Sequence, residues 1–106
     1  MPDDIDVTQN IKLVEKLKAE LLASVSELYS QMLLNVDNNA RAETFADIII
    51  FSYILADKLG INNNLVSSKA INKLKLNIVN KNILYTQSVN LLRHMSHDGG
   101  NQNNNA

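Results

Sequence analysis

Of the carboxylates in the two apolar-patterned runs that lead the chain, Glu20 and Glu27 in the first and Glu43 and Asp47 in the second are the candidates for chemistry. Glu43 and Asp47 are four residues apart and share a helix face, while Glu20 and Glu27 lie on a polar row with Ser24 and Gln31. Carboxylates that face one another across a helical bundle repel unless a cation neutralises them. Hard oxygen ligands of this kind suit Mg²⁺ or Mn²⁺ carried with a phosphate substrate. The same groups also serve as plain surface charges, with Glu20 pairing to Lys16 and Glu43 favouring a helix start. Asp47 stands apart because Phe45, Ala46, Ile48, Ile49 and Ile50 surround it in sequence. That context predicts a buried charge, held by a metal ion or by an ion pair with Lys69 or Lys73.

Lys69, Lys73 and Asn77 make a further polar row, suited either to phosphate oxygens or simply to water. His94 and His97 have helical metal-ligand spacing, but a third ligand near them would have to be Asp98, and they read as exposed histidines. The chain has no glycine-rich phosphate loop, nucleophile elbow or zincin motif, which argues against hydrolysis by those routes.

The elements that would position these groups are helices. Apolar residues recur at spacings of three, four and seven from Ile11 to Leu33, predicting a first helix from Thr8, as cap, to about Leu34. The charges at Lys16 to Lys18 are a candidate break. Asn35 to Asn39 is rich in turn formers, so the chain should reverse there into an antiparallel hairpin. That reversal would bring Glu27 and Asp47 to similar heights. The second helix, about Ala40 to Leu59, should end at Gly60 in the left-handed C′ position. Its Ile and Phe run at 48 to 51 also fits a buried strand, but length, the alanines and Gly60 favour helix. A third helix is predicted from Leu65 to about Asn80 and a shorter fourth from Thr86 to about Met95. Residues 1–95 thus read as a single all-α domain of about four helices, and 96–106 as a disordered Asn- and Gly-rich tail.

The 106 residues carry ten basic and eleven acidic side chains, so no net field draws the chain to nucleic acid or an anionic membrane. With no cysteine, disulfides and thiolate metal sites are excluded. The acidic start lacks the cationic region of a signal peptide, and the apolar run from Phe45 to Ala56 is too short to span a bilayer. A cytoplasmic location is expected.

The stretch A-D-I-I-I-x-x-Y-x-L-A-x-x-L-G-I at 46–61, together with D-V-T-Q-N-I-K-L-V-E at 6–15 and K-A-E-L-L-A-S-V-S-E-L-Y at 18–29, resembles the short MazG-like proteins of Gram-positive bacteria and mobile elements. The resemblance covers roughly residues 4 to 81. It implies the four-helix bundle of the all-α nucleoside triphosphate pyrophosphohydrolases, assembled as dimers or tetramers. These cleave nucleoside triphosphates to monophosphate and pyrophosphate with Mg²⁺. On that pattern Glu27 and Asp47 are metal ligands, and Lys73 and Asn77, in K-x-x-x-N, are substrate contacts. The sequence departs from the pattern at two places. The E-x-x-E motif falls on Ser24 to Glu27 and the E-x-x-D motif on Thr44 to Asp47, so each keeps only its second carboxylate. Glu20 and Glu43 are substitutes in sequence, Glu43 being rotated by about 100° from the Thr44 position.

Three functions follow: a divergent Mg²⁺-dependent pyrophosphohydrolase, an inactive relative that binds a nucleotide or nucleotide-like signal, and a helical assembly module. In the last, the second helix with Leu13, Leu17, Tyr29 and Leu33 would form a subunit contact.

Overall fold

The computed structural model describes the backbone of residues 4–104 and the side chains of residues 6–96. Four helices fill the described residues: α1 (Asp4–Leu34), α2 (Asn38–Lys58), α3 (Asn63–Val79) and α4 (Tyr85–Asn104). The all-α class expected from the periodicity is what the chain adopts, and residues 48–51 are helical. The chain divides into two compact units, 1–63 and 64–106, each described by itself.

The first unit is the α1–α2 hairpin. Helix α1 begins ahead of Thr8, which lies exposed within it rather than capping its start. It runs unbroken through Lys16 to Lys18 because those charges are paired along its surface: Lys16 with Glu20 at 3.8 Å and Lys18 with Glu15 at 3.0 Å. Asn35, at φ 56°, takes the left-handed turn position that an asparagine tolerates, and Asp37 caps α2 by accepting from the Ala40 amide at 2.8 Å. At the far end Gly60, at φ 83°, closes a Schellman motif, with Gly60 N–H donating to Asp57 O and Ile61 N–H to Ala56 O.

Leu17, Leu21, Ser24, Val25 and Leu28 of α1 and Ala40, Thr44, Ile48, Phe51 and Leu55 of α2 carry the buried and half-buried positions of this seam. Viewed end-on, antiparallel helices wind in mirror senses, so the residue preceding a seam residue falls on the same side of the seam in both. Glu20, Glu27, Glu43 and Asp47 precede Leu21, Leu28, Thr44 and Ile48. These four carboxylates therefore share one side of the hairpin, together with exposed Ile50 and Ile54, which precede Phe51 and Leu55. Leu22, Tyr29, Phe45 and Ile49 follow the same four residues, are all exposed, and form an apolar cluster on the other side.

The second unit holds α3 and α4, and side-chain amides close its turn. Asn77 Nδ2 donates to Ser88 Oγ at 3.1 Å, Asn82 Nδ2 donates to Asn77 Oδ1 at 2.7 Å, and the Leu84 amide donates to Asn82 Oδ1 at 2.9 Å. Lys81, at φ 50°, occupies the left-handed position of a second Schellman motif. The backbone of α4 continues to Asn104, where composition alone predicts no order. Once a helix is nucleated, each added residue gains a backbone hydrogen bond.

Candidate functional site

Glu27 is exposed on α1, one helical turn before Gln31, whose Nε2 donates to Glu27 Oε1 at 3.4 Å. Gln31 itself is only 8% exposed, and its Oε1 is buried without a donor among the described residues. Leaving such a carbonyl unpaired costs about 1–3 kcal/mol. Sequence pattern placed Gln31 on the polar row without marking it as buried. Burial is a property of the seam, and the hairpin end closes over this residue.

Asp47 corrects the expectation of a buried charge: it is exposed and makes no ion pair among the described residues. Its apolar sequence neighbours point to other sides of α2, so adjacency in the chain was a poor guide to its surroundings. Glu43 is likewise exposed, on the same side of the seam, and Glu20 lies on that side of α1, tied to Lys16. Thr44, at the seam's centre, is 7% exposed and donates its hydroxyl to Ala40 O at 3.1 Å; Ser24 is half-buried. The two motif positions that lack carboxylates are thus inward-facing and occupied by small hydroxyl residues.

By helical rise, Glu27 lies about 10 Å from the turn end of α1 and Asp47 about 13 Å from that of α2, so they stand at comparable heights. Among the described residues, no three His, Asp or Glu side chains come together to hold an ion. That excludes a preformed carboxylate cage here, but Mg²⁺ commonly needs only one or two carboxylates when phosphates and waters complete its shell. Glu27 and Asp47, both solvent-facing, are ligands of the type such an ion takes when it is delivered with its phosphates.

The remaining predicted site residues belong to the second unit. Lys73 is exposed on α3. Both ends of the Asn77 amide are engaged within the turn network, against a Ser88 that is 2% exposed. Ser88 escaped notice in the sequence because a lone serine between Gln87 and Val89 carries no motif. Arg41 was missed as well. It is half-buried at the start of α2, donates from Nη2 to Asn35 Oδ1 at 3.5 Å, and has a buried Nε without an acceptor among the described residues. Its signal in the sequence is an arginine one turn after a capping aspartate. The His97 and Asp98 side chains lie outside the described residues, whereas His94 is exposed.

No helix among the described residues is long and apolar enough to cross a membrane. No curated protein and no solved structure matches the chain. The family description "MazG-like family" matches residues 7–91, which takes in α1 from Val7 onward, all of α2 and α3, the four carboxylates of the seam and the α3–α4 turn. With the match covering most of the sequence, the chain belongs to the MazG-like family.

Proposed function

We propose that this protein is a divergent nucleotide pyrophosphohydrolase, converting a nucleoside triphosphate and water to the monophosphate and pyrophosphate. The observation that carries this is the placement of Glu27 and Asp47: one from each helix, on one side of the seam, both open to solvent. Mg²⁺ arriving with the triphosphate would neutralise its phosphates and favour ionisation of a bound water. Glu27 and Asp47 would anchor that complex, with Gln31 holding the Glu27 carboxylate in place and Glu43 adding negative charge nearby. Lys73 is the substrate-binding cation of this proposal, and Asn77 acts from within its turn network by shaping the surface next to Lys73. The nucleotide pools of the cytoplasm are the setting this activity requires.

The decisive assay is pyrophosphate release from a panel of canonical and modified triphosphates with Mg²⁺ or Mn²⁺. Release that falls at least tenfold in Asp47→Asn supports the proposal, and no release from any substrate ends it. Thr44 favours a second possibility, binding without turnover. It occupies the position of a motif carboxylate, is buried, and has its hydroxyl committed to Ala40 O. Calorimetric binding of a triphosphate with no pyrophosphate release would select that alternative.

Self-association belongs to the same proposal. The apolar side of the hairpin, with Leu22, Tyr29, Leu33, Phe45 and Ile49 exposed, would be covered by a second copy to give a dimer or tetramer.

A further inference from the structure

The near-neutral total of the chain conceals a division. Residues 1–63 hold five basic and ten acidic side chains, a formal charge of -5, whereas 64–106 hold five basic and one acidic, a charge of +4. The acidic residue of the second unit is Asp98, outside the described side chains. Lys69, Lys73, Lys75, Lys81 and Arg93 are all exposed and make no ion pair among the described residues. Around the axis of α3, Lys75, Val79, Leu76, Lys69 and Lys73 follow one another in that order, on the side opposite half-buried Ala70, Leu74 and Ile78. Val79 and Leu76, both exposed, thus sit between cations. The turn beyond carries Lys81, then Ile83, which is 94% exposed, and exposed Leu84. Its backbone is fixed, because Asn82 Oδ1 accepts from the Leu84 amide at 2.9 Å and the Tyr85 amide donates to Asn82 O at 3.0 Å. An ordered turn therefore holds Ile83 out into solvent.

We infer that this α3–α4 tip is a docking surface for an anionic phospholipid bilayer. Leu76, Val79, Ile83 and Leu84 would enter the boundary between headgroups and acyl chains, and the lysines around them would reach the phosphates. Apolar burial and attraction to anionic lipid then act together, and each lysine stem lies along apolar surface while its ammonium stays at headgroup level. Charge selects the occupant. The apolar residues exposed on the hairpin belong to a unit of charge -5, which an anionic surface repels and a protein partner suits better; the tip belongs to the unit of opposite sign and has no described carboxylate beside it. A nucleic acid would satisfy the lysines but leave Val79, Ile83 and Leu84 in water. The attachment is peripheral, and no helix among the described residues is long and apolar enough to cross the bilayer. It is independent of the nucleotide reaction, in which Ile83, Lys75 and Lys81 take no part.

The test is flotation of the full chain with two kinds of vesicle, phosphatidylcholine alone and an equimolar mixture of phosphatidylcholine and phosphatidylglycerol, at low and at high salt. The parent should partition onto the mixed vesicles at least about tenfold more strongly than onto the neutral ones, and high salt should reverse most of that preference. Ile83→Asp should weaken binding to mixed vesicles at least about tenfold, and so should Lys75→Glu combined with Lys81→Glu, with unchanged helical circular dichroism showing that both variants are folded. A parent that does not float with mixed vesicles at low salt overturns the inference whatever the variants do, and leaves the nucleotide function standing. Undiminished binding by folded Ile83→Asp overturns it too, since the lysines would then be meeting a polyanion without insertion of the tip. If Ile83→Asp has a lower mass than the parent by light scattering without lipid, the tip is a contact between copies and the bilayer assignment is wrong.

Discussion

Thr44 and Asp47 lie three residues apart on α2 and differ in the property that matters for an ion: one side chain is buried and neutral, the other exposed and charged. Thr44→Glu would return a carboxylate to the vacant motif position. It should raise Mn²⁺ affinity at least about tenfold, read by calorimetry, if the seam admits the charge together with its ion. Without metal the same substitution buries an unpaired carboxylate, so its melting temperature should fall by several degrees and recover on adding Mn²⁺. Recovery absent at saturating Mn²⁺ would place the ion elsewhere. The chemical identity of these positions was legible in sequence because the motif spacing survives substitution. The exposure of Asp47 was not, since Phe45, Ile48 and Ile49 mark α2 as apolar without saying which of its sides is covered.

At the scale of elements, the turns carry the most local information. Gly60 shows it most plainly: a Cβ added there meets nothing within 4 Å, so the cost of Gly60→Ala comes from the left-handed φ of 83° alone. We expect a loss of about 1 kcal/mol in urea unfolding. Lys81 occupies the equivalent place after α3 with a side chain that disfavours it, and Lys81→Gly should gain roughly the same amount. Asn77→Ala should cost about 1–3 kcal/mol, because it strips Ser88 and Asn82 of their shared partner. The Gly60 stop and the Asn-rich reversals could be read directly from residue types with known dihedral preferences. The Asn77–Ser88 bond spans eleven residues and depends on how α3 and α4 meet, which no local preference encodes.

For the whole molecule, the main physical tension is apolar surface. Leu17 is the one buried hydrophobic side chain among the described residues, while Leu22 is 72% and Tyr29 66% exposed. An open recess lined by Tyr29, Met32 and Leu33 adds to the same side of the hairpin. Leu22, Tyr29, Leu33, Phe45 and Ile49 together offer on the order of 600 Å² per copy. A symmetric pair would then bury about 1,200 Å², the lower end of a stable interface. Light scattering after gel filtration should give at least a dimer, and Tyr29→Glu with Phe45→Glu should give monomers that keep their helical circular dichroism. A parent that stays monomeric at high concentration would remove this interface.

Periodicity, turn chemistry and motif spacing were sufficient by themselves to specify four helices, their reversals and the family, because each depends on residues near one another in the chain. Tertiary structure decided which sides of those helices are covered. It placed Asp47 in solvent, drew Gln31 and Thr44 inward, and set the four carboxylates on the side of the seam opposite Leu22, Tyr29, Phe45 and Ile49. Those outcomes depend on the rotational phase of α1 against α2, which is set by packing across the seam and by no single helix's sequence.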